Sequence, residues 1–377
     1  MDVILIGNYK ADNQYSMCVF EALMAEGYAK SKLEVRVFCP SSIFGKMGFA
    51  NVSLVKWLAY IDKFIIFPLQ LLVLRLKNYF LEKEIRYHIC DHSNAFYLHF
   101  LPKAKTIISC HDVLAIRAGL GYTDTYCTPT KSGIILQRII LNALSGAKKL
   151  VAVSEFTLKQ LESIDTKPYL NKNWISIHNS LSNNFQPMPK DQIQEVLEKN
   201  HLIKDKAIIL HIGSDLERKN RKLLVKMIHQ LQNDWDGILV FAGAALNADI
   251  LDLIEYLRVT DRVVQINNPT DTEIIALYSC CHVMVFPSYS EGFGWPIIEA
   301  QACGAPVITS NKAPMMSEVG GEAALYANPD DASSFVNQFL KLNNKDFRDE
   351  VIRLGYENVK RFDFENTMNQ YIEIIKK

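Results

Sequence analysis

The chain has 377 residues, 49% hydrophobic and 22% charged, a globular composition too long for one ordinary core and sized for two domains. Its 41 basic and 41 acidic residues cancel to a net charge of +0, so no global field recruits nucleic acid and electrostatic attraction must be local. Eight cysteines with no C-x-x-C pair and no regular framework read as small hydrophobes in a reducing, cytoplasmic setting.

An apolar run at 3–6, with no basic segment before it and Gly7 after it, reads as a buried first strand rather than a secretion signal. The loop that follows is polar at Asn8, Tyr9, Lys10, Asp12, Asn13 and Gln14, and Ser16 is placed to cap a helix running to Lys30. By its residues alone this loop reads as a polar surface turn. A second strand is expected at 34–38. Residues 51–86 surround the apolar run 64–74 with Lys56, Lys63, Arg75, Lys77, Lys83 and Arg86; the acids are Asp62, Glu82 and Glu84. The run is shorter than the roughly 20 apolar residues of a membrane span and contains Pro68 and Gln70. Two readings stay open: a core-packed helix pair, or a helix that lies on a membrane surface with Trp57, Tyr60 and Phe67.

His88-x-Cys90-x-His92 would share one face of a strand by its period of two, but no fourth ligand accompanies it and no metal is assigned. A strand at 106–109 delivers Cys110-His111-Asp112 at its carboxyl end, where open α/β sheets bind ligands. Asp112 is placed either to orient the imidazole or to cap the next turn. A helix at 134–147, a strand at 149–153, a helix capped by Ser154 and a strand at 174–177 complete the first half. The polar, Pro-containing stretch 178–189 reads as a linker.

A strand at 207–212 then runs into Gly213-Ser214-Asp-Leu-Glu-Arg218-Lys219-Asn220 and a helix. Strand, glycine, basic loop and helix build an anion site, in which Arg218 and Lys219 can compensate diphosphate charge growing on a leaving group. Asp234-Trp-Asp236 spells a chelating D-x-D, yet it precedes the strand 238–241 and so reads as a turn. Alternating elements, the mark of a mostly parallel sheet, lead to Phe286-Pro-Ser-Tyr-Ser-Glu291-Gly-Phe-Gly-Trp-Pro296-Ile-Ile-Glu299-Ala. Residues 283–286 form a buried strand, Gly292, Phe293 and Gly294 offer backbone N–H groups, and Pro296 suits the first position of a helix. Gly304 ends that helix before a strand at 306–309. Glu291 and Glu299 thus flank an anion pocket, as a ligand carrying both phosphate and hydroxyls requires.

The frame Phe286-Pro-Ser288, Glu291-Gly-Phe-Gly294, Glu299-Ala300 and Gly304-x-Pro306-Val-Ile308 resembles the donor-binding signature of retaining glycosyltransferases of family 4, the glycosyl transferases group 1. The resemblance implies the α/β GT-B architecture: two Rossmann-like domains with mostly parallel sheets facing an interdomain cleft. The first would cover 1–180 with a final helix at 362–377 crossing back to it, and the second 190–361. It implies catalytic roles for His111, near the sugar ring, for Lys219 at the diphosphate, and for Glu291 at the sugar hydroxyls. Gly213, Ser214, Arg218, Gly292, Phe293 and Gly294 would complete the donor site, and Glu299 would hold the ribose hydroxyls. Residues 314–321 resemble the family's loop near the nucleotide. Ser214 stands where the family often has Arg, which puts more of the charge on Lys219. Asn8, Tyr9 and Lys10 stand where it often has a Gly-Gly pair, and are the candidate acceptor contacts. The implied reaction moves a hexose from a GDP- or UDP-sugar to a glycan or lipid-linked acceptor, without metal or cofactor. It would run in the cytoplasm, at a membrane surface if 51–86 docks there. A nucleotide-sugar epimerase on the same fold and a non-enzymatic membrane-associated scaffold are the alternatives.

Overall fold

A computed structural model describes residues 1–12, 14–44, 52–80, 84–182, 184–202 and 206–377, the side chains of 52–56 excepted. Asn13, Glu82, Lys83 and the side chain of Lys56, named above, lie outside the described residues. The chain divides into two compact units. Met1–Tyr122, Pro129–His178 and Phe364–Lys377 form the first; Thr123–Thr128 and Asn179–Asp363 form the second.

In the first unit, β1 (Asp2–Ile6), β2 (Glu34–Phe38), β3 (Ile85–Ile89), β4 (Thr106–Cys110), β5 (Lys149–Ala152) and β6 (Asn173–Ser176) make one sheet in the order β2-β1-β3-β4-β5-β6. Every neighbouring pair is parallel. Parallel sheets are covered on both faces, which is why β4 and β5 read as unbroken buried runs while the edge strand β2 is mostly exposed. The order reverses between β1 and β3, so the turns after these strands sit at the sheet's switch point.

The helix Tyr15–Lys30 follows β1. Gln14 precedes it and no side chain caps it; Ser16, expected as the cap, falls inside the first turn. The last helix, Phe364–Lys376, packs in this unit: Tyr371 stacks on His88 with ring centroids 5.5 Å apart. Gly27 is required there, since a Cβ on it would lie 2.3 Å from Met368 Cγ.

Val52–Ile61 and Phe67–Phe80 are joined by a π-helical stretch, Asp62–Ile66, into continuous helix. Its segment Trp57–Phe80 is long and apolar enough, by length and composition alone, to cross a membrane. The continuity through 62–66 makes it longer than the apolar run read from sequence. One face is nevertheless committed to the unit's core. Phe67 and Leu71 are fully buried, and Phe67 packs on Phe38 and Tyr97 at centroid distances of 5.0 and 4.9 Å.

The second unit holds β7 (Ile208–Gly213), β8 (Ile238–Gly243), β9 (Val263–Asn267), β10 (Val283–Phe286), β11 (Val307–Ser310) and β12 (Ala324–Ala327), all parallel, in the order β12-β11-β10-β7-β8-β9. Here the order reverses between β7 and β10. The basic loop and the glutamate loop of the sequence follow these two strands, so the topology brings them side by side.

Candidate active site

The site in the second unit is built from the loops after β7 and β10. After β7 a single 3-10 turn, Glu217–Lys219, ends at Asn220, which adopts φ 55° and starts the helix Arg221–Gln230. The Asn220 amide donates to the carbonyls of Pro287, at 3.3 Å, and Pro329, at 2.7 Å, so one side chain ties together the loops after β7, β10 and β12. The Tyr289 N–H donates to the Arg218 carbonyl at 2.8 Å, and Arg218 Nη1 donates to the Ser290 carbonyl at 3.1 Å. The two loops are thus joined by one backbone–backbone bond and one from the Arg218 side chain, besides its ion pair.

Between them Glu291 is buried and meets two cations. Its Oε1 lies 2.7 Å from Lys219 Nζ, an ion pair rather than a well-aligned hydrogen bond, and its Oε2 pairs with Arg218. Burial pushes the Glu291 carboxyl up, but Lys219 and then Arg218 outweigh it and hold the group below the usual carboxylate range. Burial draws the Lys219 ammonium down, with Glu291 opposing and Arg218 reinforcing that shift. A guanidinium does not lose its proton, so the carboxylate beside it stays ionised. Lys219 Nζ also sits 4.8 Å from the centroid of the Phe286 ring. A Cβ on Gly213 would meet Lys219 Cδ at an ordinary 3.7 Å and His211 Nε2 at a tighter 3.3 Å. Ser214 is exposed beside it.

Gly294 adopts φ 102° and opens the helix Trp295–Ala302, in which Pro296 is the second residue rather than the first. Phe293 is buried with its ring against Phe362, 5.7 Å between centroids, and Gly292 is half-buried. Glu299, one turn into the helix, accepts a hydrogen bond from Tyr278 at 3.0 Å. Burial lifts its carboxyl to about 7, against the Tyr278 hydrogen bond and with help from Asp271. The two acids of the signature therefore behave oppositely: Glu291 is locked ionised, and Glu299 titrates near neutrality.

Lys219-Asn220 resembles the family's phosphate-contacting pair, yet the Asn220 side chain is a loop clasp. Four further participants carried no functional assignment in the sequence. Arg221 is buried and donates to the Ala244 and Ala245 carbonyls at 2.7 and 3.2 Å, holding the loop after β8. His211 on β7 is fully buried, with Nδ1 3.0 Å from the Val285 carbonyl; burial keeps it neutral, down to about 3. Tyr126, from the segment Thr123–Thr128, stacks on Tyr289 with centroids 4.4 Å apart and an interplanar angle of 11°. Lys312 lies 4.8 Å over the Tyr289 ring and donates to Asp330 at 3.1 Å. No local signal marks Tyr126, because its partner is far away in the chain.

In the first unit the switch point gathers a second polar cluster. Asn8 Nδ2 donates to Asp91 at 2.6 Å and to Gln14, and Asn8 Oδ1 accepts from Asn94 at 2.6 Å, so this amide is committed within the protein. Tyr9 is buried with its hydroxyl on Asp62 at 3.1 Å, whereas Lys10 is exposed. Of the three candidate acceptor contacts, Lys10 is exposed, Asn8 half-buried and Tyr9 buried. His111 is buried; its Nε2 donates to the Cys90 carbonyl at 2.8 Å, which fixes the tautomer and leaves Nδ1 as the acceptor. Burial holds it below the ordinary imidazole value, against Asp91 and the Cys90 carbonyl. Asp112 accepts from the Leu114 N–H at 3.0 Å and caps the next turn rather than orienting the ring. Ser154 likewise caps Glu155–Ser163.

His88, Cys90 and His92 do not share a strand face, because β3 ends at Ile89 and His92 begins a 3-10 helix. His88 is instead buried between Tyr28, at 3.2 Å, and Ser109, at 2.8 Å. Among the described residues no group of three or more His, Cys, Asp or Glu could hold a metal ion. Asp236 precedes β8 and is bound by Lys206, at the opposite end of the sheet from the switch point.

The two six-stranded parallel sheets with this strand order have the GT-B fold, with an anion-compensating loop pair at the second switch point. Residues 192–358 match the family model of glycosyl transferases group 1. It is 27% identical over 291 residues to the O-antigen chain mannosyltransferase B of Escherichia coli, spanning 76% of this chain and 73% of that one. It is 32% identical over 157 residues to the O-antigen chain mannosyltransferase RfbU of Salmonella typhimurium, spanning 42% and 43% of the two. Among solved structures, a sucrose-phosphate synthase from Thermosynechococcus elongatus superposes with a TM-score of 0.75 at 17% identity, covering 100% of this chain and 98% of that one. Anabaena HepE, in complex with UDP and glucose, gives 0.73 at 14% identity, covering 100% and 99%.

Proposed function

We propose that this glycosyltransferase moves a hexose from a nucleoside-diphosphate sugar to a glycan or lipid-linked acceptor, retaining the anomeric configuration and requiring no metal. The observation that carries the reading is the buried Arg218–Lys219–Glu291 cluster at the β7/β10 switch point. Two cations share one carboxylate, so the cluster keeps a net positive charge with which to meet a diphosphate. The named activities of the Escherichia coli and Salmonella relatives support mannose as the hexose and a polysaccharide as the product. HepE, which binds UDP and glucose, supports a nucleotide-sugar donor. Eight free cysteines suit work in the reducing cytoplasm.

In this reading the diphosphate approaches the face of Lys219 and Arg218 that Glu291 leaves open. Growing charge on the leaving oxygen is met by cations already desolvated and fixed, so little reorganisation is needed. Glu291 holds those cations in place and turns toward the sugar hydroxyls. Glu299, backed by Tyr278, takes the ribose hydroxyls and is drawn toward its ionised form by them. The bond between C1 and the phosphate oxygen breaks, the acceptor oxygen bonds to C1 on the same face, and the acceptor proton passes to the departing phosphate. No protein nucleophile takes part. Neutral His111 offers Nδ1 as a hydroxyl acceptor.

The test is turnover of GDP-mannose and of other GDP- and UDP-sugars by the purified protein, with product linkage read by NMR. Release of nucleoside diphosphate dependent on an acceptor, undiminished by EDTA, supports the reading. An inverted anomeric centre, or activity that vanishes in EDTA and returns with Mn²⁺, overturns it.

A further inference from the structure

The helix that ends at Phe80 carries an apolar face that the protein does not cover. Ile65, Leu69, Leu72, Val73, Leu76 and Phe80 are between 36% and 78% exposed. Their spacing, 4, 3, 1, 3 and 4 residues, places all six within an arc of about 100° on a helix turning about 100° per residue. The stripe runs roughly 22 Å at 1.5 Å per residue. The opposite side of the same helix, with Phe67, Leu71 and Asn78, is buried against the core, and Asn78 donates to the Tyr87 hydroxyl at 3.3 Å. A soluble surface helix normally turns polar residues outward; this one is apolar both inward and outward.

The charges around the stripe decide what covers it. Arg75 lies just beyond one edge of the arc and Lys77 just beyond the other, and both are exposed. Residues 63–80 contain three cations, Lys63, Arg75 and Lys77, and no acid. Lys63 is occupied by Asp12 at 2.5 Å, and Arg75 and Lys77 pair with no acid among the described residues. A second copy of the chain, docked through a two-fold axis, would bring these cations against their own equivalents with no acid in the segment to offset them. An anionic lipid surface accepts both features: the acyl region takes the apolar stripe, and the headgroups take Arg75 and Lys77, whose stems reach sideways along the helix. The aromatic rings of Tyr79 and Phe80, 78% exposed, suit the boundary between the two layers.

We infer that Ile65, Leu69, Leu72, Val73, Leu76 and Phe80, flanked by Arg75 and Lys77, are a docking face for an anionic membrane, on which the helix lies in the plane of the lipid surface. Its buried face keeps it attached to its own unit, so it rests on the bilayer rather than crossing it. The inference gives a lipid-linked acceptor a place to be met, but does not depend on glycosyl transfer.

The test is flotation of the full chain with vesicles of phosphatidylcholine, alone or doped with phosphatidylglycerol. Wild-type protein floats with the anionic vesicles and is released by added salt. The double variant Leu69→Glu/Val73→Glu loses partitioning by on the order of tenfold or more. It keeps the wild-type circular dichroism spectrum and the wild-type rate of transfer to a soluble acceptor, so a failed fold or a failed activity is told apart from failed docking. Arg75→Glu/Lys77→Glu abolishes the preference for phosphatidylglycerol. Equal flotation of wild type and Leu69→Glu/Val73→Glu overturns the inference, as does no flotation at low salt. A dimer in analytical ultracentrifugation that Leu69→Glu/Val73→Glu dissociates would assign the face to a second copy instead.

Discussion

Replacing Glu291 by Gln keeps the shape of the side chain and removes the charge that Lys219 and Arg218 share. Without a donor, this takes the shared carboxylate away from two cations that are 11% and 16% exposed. Removing one partner of a buried pair costs about 3–5 kcal/mol in general. Here the amide oxygen still accepts a hydrogen bond, and Lys219, already drawn down by burial, can shed its proton. The expected loss is therefore about 2–3 kcal/mol. For a unit of this size that lowers Tm by roughly 4–12 °C. A nucleoside diphosphate replaces the missing charge, so it should recover much of the loss. We expect GDP or UDP, whichever base the site accepts, to bind Glu291→Gln about 5–30-fold more tightly than wild type, equivalent to about 1–2 kcal/mol. Turnover should fall all the same, by roughly 2–4 kcal/mol of barrier, because the glutamate no longer aligns the cations and the sugar. Calorimetric scans of both proteins with and without the diphosphate, paired with isothermal titration, measure every quantity. An unchanged donor-free Tm together with equal diphosphate affinity would refute the charge-sharing cluster.

Lys219→Ala should lower turnover by roughly 2–4 kcal/mol of barrier while leaving a folded protein, since Arg218 remains to neutralise Glu291; full activity in that variant would contradict the electrostatic reading. Glu299 has a folded value of about 7, above its ordinary 4.5, so its neutral form lends stability that is complete below about 4.5 and lost as pH rises through about 7. Glu299→Gln cannot ionise and should gain on wild type across that window, by no more than about 3 kcal/mol; a Tm difference that stays flat with pH would argue against a buried neutral carboxyl. Tyr126→Ala removes one face of the Tyr126–Tyr289 stack, worth about 0.5–1.5 kcal/mol beyond burial, and should speed amide exchange at 288–291. Tyr126→Phe keeps the stack and should stay close to wild type; equal exchange in all three proteins would show that the stack does not steady the glutamate loop.

What was legible in the residues was local. Apolar runs bounded by glycine gave the strands, because a covered parallel sheet has no need to alternate. Gly294 and Pro296 marked the turn into the Trp295–Ala302 helix: the φ of 102° at Gly294 suits few other residues, and the first turn of a helix tolerates the missing N–H of Pro296. The charge partners were not legible. Nothing near Glu291 in the chain says that it will meet Arg218; that pairing exists because β10 lies beside β7, with Met284 opposite Leu210, and both strands end at the same edge. The same adjacency lets Asn220 reach the Pro287 carbonyl, so a residue that reads as a phosphate contact becomes a clasp. The period-of-two argument at His88 and His92 failed for a related reason: it assumes the strand continues, and β3 stops at Ile89. The 57–80 helix shows the reverse limit. Composition alone left a core-packed helix and a helix lying on a membrane as rivals; the structure gives this helix one buried and one exposed apolar side, with Leu71 and Leu72 in opposite environments one residue apart. A sequence states which side chains are charged or apolar, whereas strand order and helix phase decide what each one faces, and the chemistry proposed for Glu291 rests on that second kind of information.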